Sequence, residues 1–365
     1  MAVSTESYFF MSILSLSFLL CLTMFAGKSS GATVPAMYIF GDSLLDSGNN
    51  NFLQTIAKPN YTPYGIDFIT GEPTGRFTNG ATGGDFIAQL LGLPYPPAYL
   101  SLSEASRKIT TTGINYASGG SGILSETGTI LGDILTLDEQ INYFNSTVTK
   151  DLPTNLSSTL HRSIFLISTG SNDYLNNYLQ PQFSNSSQTN PPQKFANLLL
   201  DTFEQQLTII YKLGGRKFVV FGLGALGCLP IVIASAHPKP TTLCVEDVNN
   251  LINIYNYGLP IMLQRLASRL QGFTFVRADL FTLSYAQFQD PIKFGYTDGR
   301  TPCCNFGVSG MCIPGQNPCS DRDNRLFYDA IHPVQLVNYQ FAGDCFFGNS
   351  RCTPINIKEL ALKQS

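Results

Sequence analysis

Ser43 stands in "FGDSLLDSGNN", two residues beyond a glycine that ends an apolar run, where a side chain can project from a sheet edge with its backbone N–H unbonded. A serine hydroxyl is a weak nucleophile at its own pKa and needs a base, usually histidine. The chain has three histidines. His161 precedes the strand-like run "SIFLIS" and belongs at the opposite end of that strand from its polar loop. His237, in "ASAHPKP", lies in a proline-flanked loop of the kind that is mostly solvated, although that loop follows a glycine-rich turn. His332, in "YDAIHP", has Asp329 three residues before it, a spacing that lets a carboxylate hold one ring nitrogen while the other faces a nucleophile. An isolated pair of this kind is more often a helix cap, so the motif alone is weak.

Attack of a serine on a carbonyl also needs donors for the oxyanion. The backbone N–H groups of Ser43 and Gly120, with the side-chain amide of Asn172 in "GSND", would supply three. Each has a simpler reading: an Asx turn for Asn172 and a tight turn for the glycines of "SGGSG", where Gly119 competes with Gly120. Asp42 and Asp46 read as turn formers, Asp46 through side-chain to backbone hydrogen bonds.

These residues span most of the chain, so the fold must bring them together. Short apolar, β-branched or aromatic runs at 36–40, 113–117, 163–168, 217–221 and 273–278 read as strands, with helical spacing between them. The clearest helix is in "ANLLLDTFEQQLTIIYKLGG", where Leu199, Phe203, Leu207 and Ile210 recur on one face before Gly214. A second runs through "VEDVNNLINIYNYGLPIMLQRLASRL", in which Gly258 and Pro260 predict a break or kink. Strands alternating with helices predict a parallel sheet with right-handed crossovers and a three-layer α/β/α sandwich. Four of the five runs end in polar or glycine-rich loops, and ligand sites of such sheets gather beyond the carboxyl ends of the strands.

The 365 residues allow one large or two ordinary domains, but there is no repeat, low-complexity tail or convincing linker. One catalytic domain over residues 32–365 is expected. A net charge of −3 with 13 % charged residues argues against a nucleic-acid-binding or anionic-membrane surface. Residues 1–31 read as a secretory signal peptide: an apolar, uncharged stretch followed by small residues, against the alternative of a membrane anchor, for which the run is barely long enough and no basic stop-transfer cluster follows. Of nine cysteines, Cys21 leaves with that segment and eight remain, an even number that suits disulfides in an oxidising compartment. Four crowd into "CCNFGVSGMCIPGQNPC", whose spacings do not match a paired zinc site. Connectivity is open, since eight cysteines allow about 105 pairings. Sequons at Asn60, Asn145, Asn155 and Asn185 add possible glycosylation sites.

In combination the motifs are far more specific than singly. "AMYIFGDSLLDSGNNN", "GRFTNGATGGDFIAQLLGLP", "GINYASGGSGIL", "STGSNDY", "VVFGLGALGCLP", "CCNFGVSGMC" and "LFYDAIHP", in this order across essentially the whole mature chain, resemble the plant-type GDSL esterase/lipase family of the SGNH hydrolase superfamily. The resemblance implies a flavodoxin-like α/β/α fold and cleavage of carboxylic esters, with Ser43 as nucleophile, Gly120 and Asn172 in the oxyanion hole, and His332 as base oriented by Asp329. It implies a secreted hydrolase without metal or organic cofactor, acting on a lipid, polyester, acylated polysaccharide or small ester, with no nucleic acid and no obligate protein partner. The same acyl-enzyme would also serve an acyltransferase, and the same scaffold a non-catalytic secreted glycoprotein.

Overall fold

A computed structural model describes residues 32–152 and 157–364, so the expected signal segment 1–31 and the sequon at Asn155 lie outside the described residues. Four five-residue strands form parallel neighbours: β1 (Met37–Gly41), β2 (Ile164–Ser168), β3 (Lys217–Phe221) and β4 (Thr274–Ala278). A two-residue strand, β5 (Cys352–Thr353), pairs antiparallel with β4 at the edge. The expected strand at 113–117 forms only isolated bridges, yet it runs alongside β1. Met37 and Ile39 donate to the carbonyls of Thr112 and Ile114 at 3.1 Å each, and Tyr116 and Ser118 donate back to Ile39 and Gly41 at 2.8 and 2.9 Å.

The strand-like segment second in sequence therefore lies outside the first, and the chain then crosses to β2 on β1's other side. That reversal creates a switch point, the place where open parallel sheets leave a crevice. The loops that begin at Asp42, Ser118 and Thr169 all leave the sheet there.

The period of two along each strand divides the core between two faces. Tyr38, Phe40, Phe165, Ile167, Phe218 and Val220 point to one, packed by α2 (Leu137–Ser146), α3 (Pro192–Lys212) and α4 (Glu246–Arg269). Met37, Ile39, Leu166 and Val219 point to the other, under α1 (Gly83–Leu90) and α6 (Gln335–Phe347), with Leu283 of α5 (Leu280–Gln289) at its edge. The result is the expected three-layer sandwich. Because both faces are covered, the strands are continuous apolar runs and not alternating ones.

Gly214 ends the α3 segment as its sequence indicates, in the left-handed region at φ 117°. Of the expected break or kink in α4, no break occurs: the helix is continuous from Glu246 to Arg269 with Pro260 inside it. Gly258 supplies the reason. A Cβ there would lie 2.3 Å from Leu200 Cδ1 of α3, so the glycine is an approach point between two packed helices and not a terminator.

The eight cysteines among the described residues pair as Cys228–Cys244, Cys303–Cys319, Cys304–Cys312 and Cys345–Cys352. The first ties the loop after β3 to the approach to α4, and the last ties α6 to β5. The middle two close the cysteine-rich segment, which buries its own small cluster of Tyr64, Phe77, Met311 and Tyr328 beside the sheet. Among the described residues no helix is long and apolar enough to cross a membrane.

Candidate active site

The turn after β1 is built by its two acids. Asp42 accepts the N–H of Leu44 on Oδ1 at 3.1 Å, and its carbonyl accepts those of Leu45 and Asp46. Asp46 Oδ1 accepts the N–H groups of Gly48 and Asn49 at 2.7 and 2.8 Å, and its Oδ2 reaches across to the N–H of Gly119 at 3.0 Å. Ser43 is thereby held at the crest of a rigid turn, half-buried, with its backbone N–H bonded to nothing among the described residues. The same bonds separate the two glycines. Gly119 has its N–H committed to Asp46, whereas that of Gly120, in the left-handed region at φ 88°, has no acceptor among the described residues.

Burial pushes the Asp42 carboxyl up to about 7 and those of Asp46 and Asp173 up to about 6, against the backbone N–H groups that each accepts.

The structure brings Ser43, His332 and Asp329 into one hydrogen-bonded chain. His332 Nε2 lies 2.8 Å from Ser43 Oγ, and its Nδ1 lies 2.8 and 3.0 Å from the two oxygens of Asp329. Asp329 also accepts the backbone N–H groups of Ile331 and His332 at 2.9 and 2.7 Å, so the "DAIH" turn closes on its own carboxylate. His332 is 3 % exposed and Asp329 fully buried. The Asp329 side of the imidazole is thus shielded from water, while its Nε2 meets Ser43 at the wall of an open cavity.

Two further residues complete this arrangement, and neither was legible in the sequence. Tyr64, fully buried, donates its hydroxyl to Asp329 Oδ2 at 2.6 Å and accepts the N–H of Cys312 at 3.0 Å. Burial and the adjacent carboxylate hold its phenol well above the usual range, so it remains a donor. Phe77 packs its ring 4.9 Å from the His332 ring and also fills the space beside Gly119, where a Cβ would meet its Cζ at 2.3 Å. Both residues belong to a loop region with no periodic pattern, and Asp329 and His332 lie more than two hundred positions away from them. No local signal could have found them.

Asn172 follows β2. Its Nδ2 donates to the carbonyl of Ser121 at 2.9 Å, which ties its loop to that of Gly120, and its Oδ1 accepts from Asn176 at 2.8 Å. One N–H of the amide is left without an acceptor among the described residues. The neighbouring Asp173 fixes the other side of the same loop by accepting from Ile123, Leu124 and Thr127. The other two histidines stay apart: His161 lies in a short helix before β2, at the far end of that strand, and His237 is exposed and lines no part of the cavity.

Ser43, Asn172 and His332 open onto one cavity. Its walls are chiefly apolar, with Leu226, Leu229, Leu283, Phe327, Ile331 and Phe341 among them. A hydroxyl activated by a buried imidazole, unbonded N–H groups nearby and an apolar chamber beside them together suit attack on an acyl carbonyl.

Comparison with known proteins agrees with this chemistry. Residues 37–343 match the model of the family described as GDSL-like lipase/acylhydrolase. Among similar curated proteins of Arabidopsis thaliana, GDSL esterase/lipase At1g71691 is 42 % identical over 337 residues, covering 90 % of this chain and 86 % of that protein. GDSL esterase/lipase 7 is 40 % identical over 90 % of this chain and 92 % of its own length, and GDSL esterase/lipase At5g08460 is 38 % identical over 94 % and 92 %.

Proposed function

This chain belongs to the GDSL-like lipase/acylhydrolase family, and from that membership and the site geometry we propose that it is a secreted carboxylic-ester hydrolase working through an acyl-enzyme on Ser43. The observation that carries the proposal is the hydrogen bond of 2.8 Å between His332 Nε2 and Ser43 Oγ, with Asp329 on the opposite ring nitrogen.

Ser43 attacks the ester carbonyl while His332 Nε2 takes its proton. Asp329 holds the Nδ1–H tautomer and stabilises the imidazolium. The oxyanion is received by the N–H groups of Ser43 and Gly120 and the free N–H of Asn172; the bond from Gly119 to Asp46 favours Gly120 over its neighbour. His332 returns the proton to the leaving alcohol, and water repeats the sequence on the acyl-enzyme. The apolar cavity accommodates the acyl group, whether the ester is a lipid, a polyester, an acylated polysaccharide or a smaller ester. Four disulfides and the exposed sequon asparagines Asn60, Asn145 and Asn185 support passage through an oxidising, glycosylating route, with residues 1–31 as the signal and 32–365 as one hydrolase domain.

A fluorophosphonate should attach to one site, and peptide mass spectrometry should place the added mass on Ser43. Labelling elsewhere, or labelling that survives Ser43→Ala, sinks the proposal.

Tyr64 acts on this chemistry at one remove. Its hydroxyl disperses the negative charge of Asp329, so Tyr64→Phe leaves a more basic carboxylate that favours the imidazolium more strongly. The acidic limb of the kcat/KM profile should therefore move to higher pH, with kcat reduced about tenfold, the worth of one buried hydrogen bond, and KM little changed. Asp42 on the His332 side, and Tyr61 and Tyr328 beside Asp329, are the other titratable groups facing the pair, and all three remain in the variant. An unmoved acidic limb would reduce Tyr64 to a packing residue.

A further inference from the structure

One helix face forms a long wall of the cavity. Leu280, Leu283, Ser284 and Gln287 of α5 recur at three, four and seven residues from the first, the spacing of a single helical stripe. The helix begins directly after β4, at the carboxyl end of the parallel sheet, the same end as the Ser43 turn. Gln287 lies about 10 Å further along the helix than Leu280. It faces the outer part of any acyl chain laid along that wall.

Two polar side chains interrupt the stripe, and they differ. Ser284 Oγ accepts the N–H of Ala225 at 3.0 Å and donates to the carbonyl of Phe281 at 3.3 Å, so its hydroxyl is committed to the fold. Gln287 is only 4 % exposed, yet its amide has no hydrogen-bond partner among the described residues. An amide brings two donors and one acceptor, and covering it with an apolar chain that offers no partner costs free energy that a leucine at this position in the cavity wall would avoid. A purely hydrocarbon chain filling the cavity would displace water from this amide and offer nothing in return.

We propose that Gln287 reads an oxygen substituent on the acyl chain, so that the preferred substrates are esters of hydroxylated acyl groups and not of plain alkanoic acids. This rests on the ester-hydrolase reading above. A hydroxyl on the outer part of the chain accepts from and donates to the Gln287 amide, while the remaining methylenes contact the leucine and phenylalanine wall. Specificity then arises chiefly by rejection. A pocket that has a polar group to satisfy discriminates against the analogue lacking its partner more sharply than an apolar pocket discriminates by shape.

The test compares para-nitrophenyl dodecanoate with dodecanoates hydroxylated at successive carbons of the outer half, each hydrolysed by the wild-type mature protein. At one or more positions kcat/KM should exceed that of the plain ester by about tenfold, the value of one hydrogen bond. In Gln287→Leu the ratio should fall to about one, with the plain ester gaining and the hydroxylated ester losing. Gln287→Met, closer in shape, should behave alike if the leucine variant does not fold. Because each ratio is taken within one protein, it is independent of the amount folded, and the wild-type ratio needs no variant. A wild-type ratio at or below one for every position, or a preference that persists in a folded variant, overturns the proposal. Failure of the underlying reading shows separately, as para-nitrophenyl acetate hydrolysis that survives Ser43→Ala.

Discussion

Ser43→Ala is expected to lower kcat on a short-chain aryl ester by roughly 10⁶-fold, the scale seen when the nucleophile of a serine hydrolase is removed. The size follows from the design of the turn. Among the described residues Ser43 is the one hydroxyl bonded to His332 Nε2, and Asp42 and Asp46 hold that turn by backbone bonds that the substitution does not touch. The variant should therefore fold with its melting temperature nearly unchanged while turnover disappears. Comparing thermal unfolding with initial rates checks this. Retention of more than a small fraction of the activity would remove Ser43 from the mechanism.

The second large effect is expected from Asp329→Asn, about 10⁴-fold in kcat. In the native site Asp329 accepts from His332 Nδ1, which fixes the tautomer with Nε2 free to take a proton. A carboxamide is nearly isosteric, and with its oxygen in the place of Oδ1 it still accepts the two backbone N–H groups of the turn, while the NH₂ replaces the Oδ2 that accepts from Tyr64. Its NH₂ group then has to face Nδ1, so the ring proton moves to Nε2 and the base points the wrong way. Fluorophosphonate labelling rates separate this from unfolding: the variant should be folded and labelled slowly. Labelling at the wild-type rate would show that Asp329 has no part in activating Ser43.

The parallel strands and the loops at their ends were legible because apolar runs buried on both faces break abruptly into glycine and polar residues. The nucleophile turn, the "GSND" loop and the "DAIH" turn carried local signals of the same sort. Other features had none. Helix α6, "QLVNYQFAGDCFF", is apolar around much of its circumference, so no amphipathic period marks it. Helix α4 misled in the opposite sense, since Gly258 and Pro260 are local breakers overruled by packing against α3. Tyr64 and Gln287 acquire meaning only from what surrounds them. A tyrosine 265 positions from its carboxylate and a glutamine without a partner cannot be told from ordinary residues in a string.

The bond between Ser43 and His332 closes a loop of 289 residues. During synthesis the nucleophile emerges 289 residues before the base, so the nascent chain holds an unactivated serine throughout that interval. On the proposed mechanism, no fragment ending before the "DAIH" turn can turn over an ester, whatever else it has folded. Hydrolytic competence thus waits on the "DAIH" turn and not on the sheet that presents the serine.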